Sequence, residues 1–248
     1  MSKTKALLRS MWELARFHTM ESFLESFPAI TGVDLAMRKT KPEMSPIQLI
    51  SLIFGNWFCM TLIHGFMCTW NDIIDHPIDA QVERTKYRPL PSGRISRPAA
   101  YLWCLTELLI TASSTYYFLG REALLVSLPI YTISMVYPFA KFTVAWPQFV
   151  LSPCVAWPTF VGWTSVVKSA NWEEIRECVP LFMAHAVWTI YYDTAYGFQD
   201  IVGDKKAGVK SLALYLGPQL KQFMTLLSVV TVSLFSTMAY KADSSLMF

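Results

Sequence analysis

The chain alternates long apolar runs with short polar loops, and most of these runs are long enough to cross a bilayer as helices. A hydrocarbon core about 30 Å thick needs about 17–25 helical residues. Runs with few or no charges lie at 47–70, 98–120, 123–140, 142–167, 178–192 and 222–240, with a weaker seventh at 17–33. The pattern predicts an all-α integral membrane protein with about seven spans. The run at 178–192 is shorter than a span, so its helix must include flanking residues.

The weaker run at 17–33 carries two acidic residues. Glu21 and Glu25 are four positions apart, so on a helix they share one face. We expect that face to point into the protein.

Composition supports a membrane protein and argues against a soluble enzyme. Hydrophobic residues make up 53% of the chain and charged residues only 16%, whereas a soluble domain is about 25% charged. Seven spans leave little room for a soluble domain, so we expect one membrane domain over 1–248, with a lipid bilayer and no nucleic acid as partner. The five cysteines have no metal-ligand spacing, which predicts buried thiols.

The distribution of positive charge predicts an orientation. Most of the 21 lysines and arginines fall in the N-terminal segment and in the loops after the runs at 47–70, 123–140 and 178–192. Positive loops face the cytoplasm. Two acidic clusters lie on this same side, so they are expected to face the cytoplasm and to be able to meet.

The first acidic cluster follows the run at 47–70 and the second follows the run at 178–192. Their members are Asn71, Asp72, Asp75 and Asp79, and then Asp193, Asp200 and Asp204. On helices, each set stacks along one face. Carboxylates so close together repel unless cations lie between them, and hard oxygen ligands favour Mg²⁺, which also binds phosphate oxygens. The two clusters therefore predict magnesium sites that a diphosphate would bridge.

A basic loop follows the first cluster. Arg84, Lys86, Arg88 and Arg94 offer cationic donors at short spacing. Guanidinium groups bind phosphate oxygens in pairs and lysine adds a point charge. The alternative is that these residues serve only as topology signals and contacts to lipid headgroups.

These segments carry a family resemblance. Residues 71–79 and the following Arg-Thr-Lys-Tyr-Arg-Pro-Leu-Pro-Ser-Gly at 84–93 resemble the first signature of UbiA-type intramembrane prenyltransferases. Residues 192–211 resemble the second signature, and Tyr137-Pro-Phe-Ala-Lys141 with Pro147-Gln148 resembles the segment between them. The chain looks most similar to the fungal meroterpenoid branch of that family.

The resemblance implies a helix bundle around a central cavity and Mg²⁺-dependent transfer of a prenyl group from an allylic prenyl diphosphate to an aromatic acceptor. The metal ligands it implies are Asp72, Asp75, Asp79, Asp200 and Asp204. The diphosphate-binding residues it implies are Asn71, Arg84, Lys86, Arg88, Lys141 and Lys210. Asp193 is expected to lie deeper and to tune the acceptor or a metal-bound water.

Three features depart from the family pattern. Pro77 lies inside the first cluster, and because proline removes a helix hydrogen bond we expect the helix to kink or end near 73–76, which would swing Asp79 away from Asp72. Phe142 stands where a basic residue is common. The family bundle has nine helices, so the chain is expected to be truncated after the seventh.

Several activities remain open from the sequence. We expect transfer of a prenyl group, for example farnesyl, to a polyketide-derived phenol in secondary metabolism. The alternatives are a terpene cyclase of the same fold, a 4-hydroxybenzoate polyprenyltransferase of quinone biosynthesis, and an inactive truncated relative or cation-binding membrane protein.

Overall fold

The computed structural model describes residues 3–241, without the side chains of residues 200, 202, 204, 207 and 241. This part of the chain is helical and contains no strand. The α-helices are α1 Lys3–Leu14, α2 Phe23–Thr40, α3 Pro46–Asp79, α4 Arg97–Leu119, α5 Arg121–Thr143, α6 Gln148–Ala156, α7 Pro158–Val167, α8 Trp172–Ile175, α9 Val179–Ala207, α10 Leu212–Leu216 and α11 Leu220–Lys241. The predicted all-α class is confirmed.

Four helical segments are long and apolar enough to cross a membrane, judged by length and composition. They are Pro46–Asp79, Arg121–Thr143, Gln148–Val167 and Leu212–Tyr240. The count of seven spans stays a prediction. Exposed apolar side chains such as Leu102 and Leu109 on α4 and Val229 and Val232 on α11 give the bundle an outer surface suited to lipid.

Helix α3 carries the first acidic cluster and is fixed at its start by a capping box. The Ser45 hydroxyl accepts from the Gln48 N–H at 3.4 Å, and the Gln48 side chain accepts from the Ser45 N–H at 2.8 Å. Pro46 occupies the first helical position, where its missing N–H costs no hydrogen bond. The long helix therefore has a defined register from its first turn.

The expected interruption of α3 at Pro77 is wrong. The helix continues through Pro77 to Asp79, so Asp79 keeps its place on the face that carries Asp72. Proline removes a single N–H, close to the end of the helix. The Thr85 hydroxyl donates to the Asp79 carbonyl at 3.0 Å, which helps to hold this last turn.

Helices α2 and α7 pack closely through two glycines. A Cβ on Gly32 would collide with the backbone carbonyl of Thr159, and a Cβ on Gly162 would collide with that of Ala29. Small residues of this kind let helix backbones approach in membranes. The Asn56 amide on α3 donates to the Ser165 hydroxyl on α7 at 3.0 Å. The three helices are thus packed together through close backbone contact and a buried hydrogen bond.

The predicted polar stripe at 17–33 is only partly confirmed. Helix α2 begins at Phe23, so Glu21 lies in the turn before it rather than on the same helix face. Glu25 points into the protein and is buried. Glu21 lies two residues before the first residue of α2. The side chains of Glu21 and Glu25 both line the cavity described below.

Candidate active site

A cavity of about 380 Å³ lies between α2, α3, α5, α6 and α9 and the loop that follows α3. It gathers most of the side chains that the sequence singles out. These are Asn71, Asp72, Asp75, Asp79, Arg84, Arg88, Lys141, Asp193 and Lys210. Asp193 lines the same cavity as Asp72, Asp75 and Asp79, so the two acidic segments come together at this residue, as predicted. The Asp200 and Asp204 side chains lie outside the described residues.

Asp72 is fully buried and is held by an arginine that the sequence analysis did not assign to the site. Nη2 of Arg16 donates to both carboxylate oxygens of Asp72, at 2.8 and 3.1 Å. Burial of Arg16 disfavours its charged form, but the Asp72 carboxylate more than offsets this and leaves the guanidinium pKa above its ordinary value. Arg16 is thus a permanent cation at the cavity wall.

Arg88 joins two carboxylates of the first cluster. Its Nη1 lies 3.1 Å from Asp72 Oδ1 and 2.8 Å from Asp79 Oδ2. The loop that carries Arg88 is anchored by Leu90 and Ile95, which are buried in the core. One guanidinium therefore ties Asp72 to Asp79 across two turns of α3, contrary to the separation expected from Pro77.

Lys141 contacts the two remaining residues of the first cluster, Asn71 and Asp75. Its ammonium donates to Asn71 Oδ1 at 2.8 Å and to Asp75 Oδ2 at 2.6 Å, and the Asn71 amide also donates to Asp75 Oδ2, at 2.9 Å. The same ammonium lies 4.9 Å from the centre of the Tyr137 ring. Lys141 is thereby fixed between α3 and α5 in contact with an acid, an amide and an aromatic face.

One oxygen of Asp75 has no partner. Asp75 Oδ1 is buried and makes no hydrogen bond among the described residues. An unpaired buried carboxylate oxygen is costly unless a cation or donor satisfies it. The donor set at this cluster consists of hard oxygens, so these residues fit Mg²⁺.

The segment after α9 is tied to α5 and α6. The Lys210 ammonium donates to the Thr143 carbonyl at 3.0 Å and the Lys210 N–H donates to the Lys141 carbonyl at 2.9 Å. The Gln148 side chain accepts from the Leu212 N–H at 3.1 Å. Lys210, which belongs to the second motif, lines the cavity, and its role at a diphosphate stays a prediction.

Among the predicted site residues whose side chains the structure describes, Lys86 is the one that does not line the cavity. Its ammonium lies 2.7 Å from Glu83 Oε2 and 5.0 Å from the centre of the Tyr87 ring. Arg84 and Arg88 on the same loop line the cavity, whereas Lys86 does not. The loop winds in short turns, so neighbouring cations in the sequence face different directions.

The cavity also contains a second group of polar residues. Glu25 Oε2 lies 2.8 Å from His64 Nδ1, and His64 Nε2 lies 3.4 Å from Cys68 Sγ. The prediction of buried thiols holds for Cys59, Cys104, Cys154 and Cys178, whereas Cys68 is half-buried and lines the cavity.

This group was not predicted from the sequence, although the spacing of its residues on α3 contains a signal for it. Cys68 lies one helical turn after His64, and Asp72 lies one turn after Cys68. Residues four apart share a helix face, so the apolar run already contained an extension of the acidic stripe.

Fold and site together define a class: helical membrane proteins with a cavity in which clustered carboxylates meet arginines and lysines. The chain belongs to the UbiA prenyltransferase family, whose model matches residues 26–248. The predicted resemblance is thereby confirmed.

Two fungal relatives are similar over most of the chain. It is 42% identical to a polyprenyl transferase of Arthrobotrys oligospora over 95% of its length and 39% identical to a polyprenyl transferase of Penicillium terrestre over 97%. The chain spans 64% of the length of the first relative and 75% of the second.

Two archaeal structures share the fold. An apo structure of a UbiA homolog from Aeropyrum pernix K1 gives a TM-score of 0.77 at 23% identity, over 92% of this chain and 82% of that one. A UbiA homolog from Archaeoglobus fulgidus bound to GPP and Mg²⁺ gives 0.71 at 19% identity, over 94% and 78%.

Proposed function

We propose that this protein transfers a prenyl group from an allylic diphosphate to an aromatic acceptor. The observation that carries the proposal is the arrangement of Asp72, Asp75 and Asp79 in one cavity with Arg16, Arg88 and Lys141. Carboxylates that bind a metal and cations that bind phosphate are both needed to handle a diphosphate. The names of the two fungal relatives, both polyprenyl transferases, support transfer of a prenyl group.

Asp72, Asp75 and Asp79, together with Asp200 and Asp204 from α9, are proposed to hold Mg²⁺ at the diphosphate. Bound there, Mg²⁺ would neutralise negative charge on the leaving group. Support comes from the unpartnered oxygen of Asp75. The structure of the Archaeoglobus fulgidus homolog contains GPP and Mg²⁺.

The basic side chains are proposed to bind the diphosphate directly. Arg16, Arg88 and Lys141 lie at the cluster and Arg84 and Lys210 line the cavity near the loops. Donors placed where charge develops stabilise a transition state. As the carbon–oxygen bond breaks, its electron pair leaves with the diphosphate, and these cations stabilise the added charge.

The allylic cation that remains must be kept from water until the acceptor reacts. Tyr137, Phe142, Tyr192 and Tyr196 contribute aromatic surface to the cavity lining. Ring faces attract cations by about 0.5–2 kcal/mol. We propose that these rings shield the cation, and that a ring carbon of the acceptor then forms the new carbon–carbon bond.

The finer features of the proposed reaction rest on the resemblance of the sequence motifs to the fungal meroterpenoid branch of the family. We propose farnesyl as the donor group and a polyketide-derived phenol as the acceptor, with Asp193 tuning the acceptor. Because most of the positive charge lies in the loops beside both motifs, we propose that the cavity opens towards the cytoplasm.

The first test is release of diphosphate from farnesyl diphosphate by membranes that carry this chain. It is measured with and without Mg²⁺ and with and without a set of phenols. Mg²⁺-dependent release with formation of a prenylated phenol supports the transferase. Release that yields only hydrocarbons or alcohols supports a cyclase instead, and absence of release contradicts both.

Asp75→Asn tests the proposed ligand directly. We expect loss of Mg²⁺-dependent turnover by at least about 10²-fold, because a neutral amide replaces a carboxylate that stabilises the metal and diphosphate. Asp34→Asn is the matched control, since Asp34 is an exposed carboxylate on α2 that pairs with Arg38. Near-normal turnover in Asp75→Asn would contradict the site, and Asp200→Asn extends the same test to the second motif.

A further inference from the structure

Glu25, His64 and Cys68 form a polar group in the cavity that lies away from the carboxylates of the first cluster. The rise of α3 places His64 about 12 Å before Asp72 along the helix axis. Glu25 and His64 are 4% and 7% exposed, and both line the cavity. We propose that Glu25 and His64 are the proton-accepting pair for a phenolic acceptor, an inference that rests on the proposed prenyl transfer.

The contact between Glu25 and His64 decides which ring nitrogen can act as a base. Glu25 Oε2 is 2.8 Å from His64 Nδ1, a close contact that lacks the alignment of a hydrogen bond, and the charge of a carboxylate at this distance favours the proton on that nitrogen. The other nitrogen, Nε2, then carries the lone pair, which accepts a hydrogen bond from the Cys68 thiol at 3.4 Å. Because a thiol is a weak donor, a phenolic hydroxyl can displace it. Nε2 is therefore the atom that accepts a proton.

The charge balance of the pair supports the same assignment. Among the described residues, the ion pair formed by Glu25 is with His64 and with neither an arginine nor a lysine. A buried carboxylate needs a partner charge or a proton. The pair can hold a proton and give it back, whereas a guanidinium cannot, because arginine stays protonated at all ordinary pH values. Glu25 is the positioning residue and His64 the catalytic one.

The phenolic proton passes to His64 Nε2, the ring carbon beside the phenolic oxygen bonds to the allylic carbon, and the bond from that carbon to the diphosphate oxygen breaks with its electron pair. The product of this step is a dienone. Its ring proton leaves to the released diphosphate, and the proton on His64 returns to the oxygen, which restores the aromatic phenol and the neutral imidazole.

Another buried histidine offers a matched control. His185 on α9 is fully buried, has its Nε2 2.8 Å from the Thr31 hydroxyl, and packs against Phe27 and Phe235. It does not line the cavity. Glu107 on α4 is likewise a buried carboxylate that does not line the cavity, so it matches Glu25.

The test compares His64→Gln and Glu25→Gln with His185→Gln and Glu107→Gln. Transfer from farnesyl diphosphate is measured on phenols of increasing acidity, from alkyl-substituted to fluorinated. General bases contribute about 10²–10⁴-fold, so we expect kcat on the weakly acidic phenols to fall by that factor in His64→Gln. The fluorinated phenols, which ionise without a base, should recover most of the rate. The KM for farnesyl diphosphate should stay unchanged, and both controls should behave like the wild type.

Three results would overturn the inference. The first is a wild-type rate on weakly acidic phenols in His64→Gln. The second is an equal loss on every phenol together with a raised KM for farnesyl diphosphate, which would mean a structural role. The third is stoichiometric Zn²⁺ in the purified protein that is lost in Cys68→Ala, since Glu21, His64 and Cys68 place their ligand atoms within 4.8 Å of one another.

The same experiment separates this inference from the function on which it rests. A wild-type protein that prenylates no phenol contradicts the proposed function and the inference together. A wild-type protein that prenylates phenols, with a His64→Gln variant equally fast on all of them, contradicts the inference alone.

Discussion

Two parts of one cavity neutralise buried carboxylates in different ways. In the first, Asp72, Asp75 and Asp79 each contact an arginine or a lysine at 2.6–3.1 Å. In the second, Glu25 contacts the imidazole of His64. Guanidinium and ammonium groups keep their charge, whereas imidazole gains and loses a proton near neutral pH.

From this difference we infer that the two parts of the cavity carry out different chemistry. A set of permanent positive charges is suited to binding a polyanion such as a diphosphate, because these charges are present whatever the protonation state of the substrate. A carboxylate paired with histidine suits a neutral group that must give up a proton. We therefore expect substitutions around Asp72 to affect the diphosphate and substitutions around His64 to affect the acceptor.

Arg88→Met should have the largest effect on the diphosphate side. The change removes a cation that contacts both Asp72 and Asp79. Loss of a charged donor at a developing negative charge costs about 10²–10³-fold in rate. The measurement is Mg²⁺-dependent release of diphosphate from farnesyl diphosphate.

Arg121→Met is the control for that substitution, since Arg121 is exposed and pairs with Glu122 outside the cavity. A rate for Arg88→Met within about twofold of the control would show that the two parts do not divide the chemistry as described.

Lys141→Met should have an intermediate effect. Lys141 contacts Asn71 and Asp75 and lies over the Tyr137 ring. Hydrogen bonds to charged groups are worth about 1.5–3 kcal/mol, so the KM for farnesyl diphosphate should rise about 10–100-fold. Lys39→Met serves as control, because Lys39 lies on α2 beside Glu177. An effect on the KM of the acceptor alone would indicate that Lys141 acts on the acceptor and not on the diphosphate.

Phe142→Arg should have the smallest effect and the opposite sign. Phe142 lines the cavity next to Lys141 and is 37% exposed. A new cation at a partly exposed position is worth about 0.2–1 kcal/mol, so the KM for farnesyl diphosphate should fall by up to about fivefold. An unchanged KM would mean that the existing cations already satisfy the diphosphate.

Helix periodicity was sufficient to predict the stacking of Asp72, Asp75 and Asp79, because an unbroken helix fixes which side chains share a face. The contribution of Arg16 could not be read in the same way. It lies 56 positions before Asp72 in a loop where it adopts a left-handed φ of 55°, and neither the loop path nor that conformation follows from a motif.

The rule for proline failed at Pro77 for a related reason. Local propensity favours a break there, but contacts of Asp79 with Arg88 and Thr85 hold the last turn of α3. The position of Lys86 between Arg84 and Arg88 in the sequence was equally insufficient to predict where its side chain points. Neighbouring residues of a winding loop face different partners, and Lys86 contacts Glu83. Spacing on a regular helix predicts which side chains share a face, whereas the direction of each loop side chain depends on a backbone path that the sequence does not reveal.

The contact of one guanidinium with both Asp72 and Asp79 has a consequence for the proposed binding of metal and diphosphate. Asp72 keeps Arg16 as a second cation when Arg88 moves away, whereas the ion pair of Asp79 among the described residues is with Arg88. We therefore expect Asp79 to exchange Arg88 for a metal more readily when a diphosphate is present to take up the released guanidinium.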